Sequence, residues 1–226
     1  MGKDSDELAF ADYWNHRYVE KEGEDTYDWF RDWEQLGAWF KDHLSRPHAK
    51  ILHLGCGNST LTADLHALGF THLTNIDFSD VVIKSMETKY KDINAVWKVM
   101  DVRQMDGLFD NSFDIAIDKA TMDSMFHGSM WDPPDDVREN IERYLGEVVR
   151  VLVPGGTFLY ITYRQPHFLK PLLARKDWNL SVETLPDGQR GVFEYFAYVM
   201  KKLDVEEDSE DASEPVTDSG SETGKE

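Results

Sequence analysis

Apolar positions change their period along this chain, and the changes divide it into elements. Leu8, Ala11, Tyr13, Trp14 and Tyr18 recur at helical spacing and predict a short helix over 7–19. An acidic break at 22–26, containing Gly23, separates it from a second helix. In that helix Trp29, Trp33, Leu36, Trp39, Phe40 and Leu44 recur before Pro47 ends the pattern. From Lys50 onward short apolar runs alternate with helical stretches. Strands are predicted at 51–54, 73–76, 95–100, 113–117 and 157–162, and helices at 61–68, 81–90 and 137–152. Pro154-Gly155-Gly156 stops the last helix. Two late strands, 178–183 and 192–201, flank a Pro186-Asp187-Gly188 turn and read as a hairpin. Strands alternating with helices imply right-handed crossovers. The expected fold is therefore α/β and Rossmann-like, with a seven-stranded, mostly parallel sheet and an antiparallel C-terminal hairpin.

Charge and composition narrow the classes of function. The 226 residues carry a net charge of −19 and hold a single cysteine, Cys56. The acidity, without any dense Lys/Arg run, argues against a nucleic-acid partner. One cysteine permits no intrachain disulfide, which fits a reducing compartment, and the expected location is the cytoplasm. No apolar run is long enough for a membrane span, and the N-terminus lacks the features of a secretory signal. Between Asp204 and Glu226 ten Asp/Glu stand against one lysine, with no aromatic residue. Such a segment cannot bury enough apolar area to order itself, so 204–226 is predicted to be a disordered acidic tail. It serves either solubility or attraction of a basic partner. Residues 1–203 form the expected domain.

Candidate chemistry gathers at the predicted strand ends. Ile51-Leu52-His53-Leu54-Gly55-Cys56-Gly57-Asn58-Ser59 reads as strand, tight turn and helix start. Gly55 and Gly57 would let the backbone turn sharply and approach a ligand. A Gly-x-Gly pair also occurs in ordinary strand-to-helix turns. Asp77 lies 22 residues after Gly55, where a carboxylate can accept bonds from ribose hydroxyls, or simply cap a helix. Asp101 and Val102 end the third strand, suiting an adenine amine and ring face. Asp118 and Lys119 end the fourth. Ligands in open α/β sheets sit beyond these carboxyl ends. The glycine spacing is incomplete for a pyrophosphate, which disfavours a nicotinamide dinucleotide. His53 and His66 read as strand and helix residues, and no cluster has metal-ligand spacing, so no metal is expected.

Three stretches carry a resemblance. They are Tyr13-Trp14-Asn15-His16-Arg17-Tyr18 with Tyr27-Asp28-Trp29-Phe30; Leu54 through Ser59; and Phe113-Asp114 leading to Asp118-Lys119-Ala120-Thr121-Met122-Asp123. Together with the hairpin and the Val151–Gly156 stretch, they resemble class I, seven-β-strand S-adenosylmethionine-dependent methyltransferases. Within these they resemble the lysine methyltransferases acting on translation elongation factor 1-alpha, the methyltransferase-like thirteen and elongation factor lysine methyltransferase four group. The resemblance runs from about Phe10 to Leu203. It implies S-adenosylmethionine as cofactor and a protein-lysine substrate, with elongation factor 1-alpha as the expected partner. It implies an N-terminal helical lid presenting Trp14, Tyr18 and Tyr27, and cofactor contacts at Gly55, Gly57, Asp77, Phe78, Asp101, Val102 and Lys119. The family's usual Asp-Lys-Gly-Thr-Leu-Asp reads Asp-Lys-Ala-Thr-Met-Asp here, which puts the backbone at Ala120 in question. No residue stands out as a base; Asp118, Asp123, Tyr163 and His167 are candidates by position. A small-molecule N- or O-methyltransferase and a non-catalytic cofactor-binding scaffold are the competing readings.

Overall fold

A computed structural model describes residues 7–20, 26–44, 46–185 and 194–204. The elements in chain order are α1 (Ala11–Glu20), α2 (Trp33–His43), β1 (Lys50–Leu54), α3 (Leu61–Ala67), β2 (His72–Asp77), α4 (Asp80–Lys89), β3 (Ala95–Val99) and β4 (Phe113–Lys119). A 3-10 turn (Met122–Met125), α5 (Asp135–Val151), β5 (Leu152–Thr162), α6 (Pro166–Leu173), β6 (Trp178–Thr184) and β7 (Phe196–Lys202) follow. The sheet order is β3-β2-β1-β4-β5-β7-β6. β7 runs antiparallel to both β5 and β6, and the other pairs are parallel. The expected sheet and its antiparallel end are thus present.

Both faces of the sheet are covered, which is why β1 reads as a continuous apolar run rather than an alternating one. Leu52 and Leu54 join one core with α5 and α6, and Ile51 joins another with α2 and α3. α5 shows how the sequence encodes this. Val137, Ile141, Tyr144, Leu145, Val148 and Val151 recur every three or four residues, and all are buried. Each such side chain contributes roughly 1.5–3 kcal/mol by leaving water. α2 starts on a capping box in which the Asp32 carboxylate accepts from the Gln35 N–H and the Gln35 side chain accepts from the Asp32 N–H. Its inward face is Leu36, Trp39 and Phe40.

Several boundaries differ from expectation. The second helix starts at Trp33, not near Trp29, because the Asp32 cap outweighs the aromatic spacing that continued upstream. β5 starts at Leu152 and runs through Pro154-Gly155-Gly156, where its register against β4 shifts, so the triplet lies within the strand instead of separating it from α5. α6, with Pro166 in its first turn, was not anticipated; it buries Leu169 and Leu173. The Pro186-Asp187-Gly188 turn, the Gly23 break and the acidic tail from residue 205 lie outside the described residues. Among the described residues no helix is long and apolar enough to cross a membrane.

Candidate functional site

The strand order reverses between β1 and β4, and a cavity of about 720 Å³ opens at their carboxyl ends. All ten of the predicted site residues line it: Trp14, Tyr18, Tyr27, Gly55, Gly57, Asp77, Phe78, Asp101, Val102 and Lys119. Of the four candidates by position, Asp123 and Tyr163 line it, whereas Asp118 and His167 do not.

The turn after β1 is shaped by its neighbours. Gly55 has φ +59°, and a Cβ there would collide with the Thr121 side chain, so the site admits only glycine. Thr121 Oγ1 itself donates to the Leu54 carbonyl at 2.8 Å. Gly57 has φ +49°, and its missing Cβ leaves room for the Tyr18 hydroxyl. The Gly57 N–H donates to Asp77 Oδ2 at 3.0 Å, and the Ser79 N–H to Oδ1 at 2.9 Å. Burial nevertheless pushes the Asp77 carboxyl up to about 6, against the pull of these two backbone donors. Burial, with Asp77 beside it, also raises the Tyr18 phenol.

Asp101 sits two residues beyond β3. Its carboxylate accepts from the Arg103 backbone N–H at 2.8 Å and from the guanidinium at 2.6–3.1 Å. Burial raises this carboxyl, but the Arg103 bonds outweigh it and hold the group below its ordinary value.

Adjacent residues on β4 point to opposite faces, which separates Asp118 from Lys119. Asp118 turns beneath α5 and accepts from the Tyr144 hydroxyl at 2.8 Å and from the Thr121 and Met122 N–H groups. Burial raises its carboxyl to about 7. Lys119 turns the other way. Its Nζ donates to Asp28 Oδ1 at 2.8 Å and to the Trp29 carbonyl at 3.0 Å.

Asp28 was missed as a hub. Besides Lys119 it accepts from the Ser59 hydroxyl and from Thr60 Oγ1 at 3.0 Å, at the mouth of α3. Burial alone would raise its carboxyl; Lys119, Ser59 and Thr60 together keep it below the ordinary value. Tyr27 N–H donates to the Asn58 carbonyl. Residues 27–30 are thus a strap bolted across the glycine turn. α1 is held more lightly: it buries no residue, and Asn15 Oδ1 accepts from the Ser79 hydroxyl at 2.6 Å. Above the cavity, Trp14 meets Tyr18 and Trp29, and Trp29 meets Tyr27.

The strap ends in a strained turn. Phe30 has φ +67°, and the Arg31 N–H donates to the Trp29 carbonyl at 2.8 Å, two residues back. That is a γ-turn of the rare, strained hand. It sets the Phe30 ring edge-on to Tyr163 at 5.3 Å. Beyond them Asp123 accepts from Tyr160 (2.8 Å), Thr162 (2.7 Å) and Arg164 Nε (2.8 Å).

Ala120 answers the question its sequence raised, because it adopts φ +82°. Left-handed backbone costs a residue with a Cβ roughly 1–2 kcal/mol, while glycine adds about 0.4–1 kcal/mol of unfolded-chain freedom. Ala120→Gly is expected to stabilise the fold by up to about 1 kcal/mol, raising the melting temperature by about 2–4 °C. An unchanged or lower melting temperature in a thermal scan would count against strain at this position.

A family model described as "Methyltransferase domain" matches residues 52–160. Mouse EEF1A lysine methyltransferase 4 is 36% identical over 195 residues, covering 84% of this chain and 74% of that protein. The human eEF1A lysine and N-terminal methyltransferase is 32% identical over 220 residues, covering 90% of this chain and 30% of that longer protein. Among solved structures, the Burkholderia thailandensis 1,6-didemethyltoxoflavin-N1-methyltransferase with bound S-adenosylhomocysteine aligns at a TM-score of 0.56 and 18% identity. It covers 84% of this chain and 87% of that one, a likeness of fold. Fold, glycine turn and cavity define an S-adenosylmethionine-dependent methyltransferase of class I. More narrowly, the chain belongs to the family of EEF1A lysine methyltransferase 4.

Proposed function

We propose that this chain methylates a lysine side chain of a protein, with translation elongation factor 1-alpha the expected substrate. The observation that carries this reading is the aromatic wall formed by Phe30 and Tyr163 at the end of the cavity away from Asp77 and Asp101. The names of the relatives point the same way.

The residues fit the cofactor. The cavity volume lies within the range of about 300–1,000 Å³ usual for small-ligand sites, and Gly55, Gly57 and Asp77 line it together. In this reading Asp77, with its neighbour Phe78, takes the ribose hydroxyls, Asp101 and Val102 flank the adenine, and Gly55 and Gly57 bring backbone close. Trp14, Tyr18 and Tyr27 form the lid, and Lys119 positions the strap. When bound, S-adenosylmethionine supplies an electrophilic methyl group on a sulfonium.

The protein's own task is then to aim a neutral amine and exclude water. A lysine amine has an ordinary pKa of about 10.4, and aromatic walls that strip its water lower that value. Asp77, Asp101 and Asp123 each already accept donors from the protein. In this reading the amine gives its proton to solvent before it enters the cavity. The kcat/KM for a protein substrate should rise about tenfold per pH unit below the amine's pKa.

The test is to incubate the full chain with methyl-labelled S-adenosylmethionine and purified elongation factor 1-alpha, and to locate the label by mass spectrometry. A methylated lysine is expected, and Phe30→Ala should lower kcat/KM without changing cofactor affinity. Label confined to small metabolites of a lysate, with none on protein, would overturn the reading.

A further inference from the structure

The segment between the 3-10 turn and α5 carries a feature that methyl transfer itself does not require. Trp131 leaves 81% of its surface in water. Yet its ring is held, meeting Phe168 edge-on at 4.8 Å and His167 at 5.7 Å. The backbone around it is braced as well. The Asp132 N–H donates to Ser129 Oγ at 3.2 Å, Arg138 pairs with Asp132 at 2.6 Å, and His127 pairs with Asp136 at 2.8 Å. An indole fixed in an outward position is pre-organised for contact, because little freedom is left to lose on binding.

Two further observations say what it contacts. Met130, the preceding residue, lines the cavity and lies against the Arg164 guanidinium, so this ledge begins where the substrate end of the cavity stops. The ledge is also acidic. Between residues 132 and 139 four carboxylates stand against one arginine, and that arginine is engaged by Asp132. Asp135 and Glu139 face solvent. Aromatic faces attract cations, and exposed carboxylates steer basic partners toward a surface. Tryptophan is also among the residues that most often anchor protein interfaces.

We propose that Trp131 with Asp135 and Glu139 forms the docking ledge for a lysine- and arginine-rich segment of the protein substrate, next to the lysine that enters the cavity. This rests on the reading of the chain as a protein methyltransferase. Trp131 acts by holding the substrate and stands apart from the reacting atoms. Its loss therefore appears in KM and leaves kcat nearly untouched.

The experiment compares the full wild-type chain with Trp131→Ala and with the Asp135→Asn/Glu139→Gln pair. With purified elongation factor 1-alpha, Trp131→Ala should raise KM about tenfold, as for an interface anchor, while kcat and calorimetric S-adenosylmethionine affinity stay at wild-type values. The wild-type KM should climb with salt, and the charge-neutralised pair should flatten that climb. Wild-type KM in Trp131→Ala, or a fall in kcat alone, overturns the ledge. A wild-type chain that fails to methylate elongation factor 1-alpha overturns the substrate reading instead. The ledge is then judged with a fluorescent twenty-residue polylysine peptide by anisotropy. Weaker binding by both variants supports it, and equal binding by all three proteins overturns it.

Discussion

Asp77→Asn is expected to weaken S-adenosylmethionine binding about 10- to 100-fold and to flatten its dependence on pH. The buried carboxylate is the charged acceptor nearest the glycine turn, and bonds to a charged group are worth about 1.5–3 kcal/mol. Its ordinary value of 3.8 is raised to about 6 because burial penalises the charge. The ionised form accepts ribose hydroxyls, so wild-type affinity should fall about tenfold per pH unit below 6 and level off above 7. Stability has the opposite sign. The folded value lies above the unfolded one, so this group's contribution is fully present below pH 3.8 and is lost as pH rises through 6. Holding the charge at this buried position thus costs on the order of 3 kcal/mol at neutral pH. Asparagine keeps one oxygen for Gly57 or Ser79 but cannot ionise, so its affinity should be level from pH 5 to 8. Calorimetric titrations across that range decide it. A wild-type affinity that is itself level would show that Asp77 does not carry the ribose contact.

The second large effect is expected at the pair beneath the strap. Asp28→Ala should destabilise the fold by about 3–5 kcal/mol, because it strands the Lys119 ammonium in a buried site. The Lys119 and Asp28 side chains expose only 4% and 11% of their surface, so neither charge can fall back on water. Ser59 and Thr60 lose an acceptor in the same step. The double variant Asp28→Leu/Lys119→Met leaves no unpaired charge and should recover most of the stability. It should not recover cofactor affinity, since the bolt that holds Tyr27 and Trp29 over the glycine turn is gone. Urea unfolding gives the coupling energy and calorimetry the affinity. Single-variant losses that simply add in the double variant would mean the pair is not coupled.

What was legible in the sequence divides along physical lines. The first four strands were readable because each is a short apolar run with Gly or Asp at its end, and the glycine turn because nothing but glycine fits against Thr121. The ten cofactor-side positions followed from strand ends and a family resemblance, and they meet at one cavity. Asp28 was quoted within a motif but given no role. Its partners Ser59, Thr60 and Lys119 lie 31, 32 and 91 positions away, and no local pattern predicts such a meeting. Asp118 and Lys119 were treated alike as one strand end, whereas the pleat sends one to Tyr144 and the other to the strap. The γ-turn at Phe30 was hidden for a different reason. Aromatic spacing there continues a helical pattern, and only the tertiary ties of Asp28 and Trp29 hold the backbone in its left-handed state. α6 was lost because two prolines in eight residues mask its apolar stripe.

The position of β7 bears on how the molecule is made. β7 is synthesised after β6, yet in the finished sheet it lies between β6 and β5. Among the described residues β6 pairs with no strand but β7. When β5 is synthesised its neighbour β4 already exists, whereas the neighbour of β6 is made only afterwards. When β7 arrives it zips against two edges at once, Thr162 beside Phe196 on one side and Thr184 beside Phe196 on the other. Until that moment the nascent chain carries an unfinished edge, the kind of surface that chaperones shield and neighbouring chains mispair with. The Arg164 carbonyl at the cavity wall, which accepts from the Tyr198 hydroxyl at 2.9 Å, gains that partner only with this last strand.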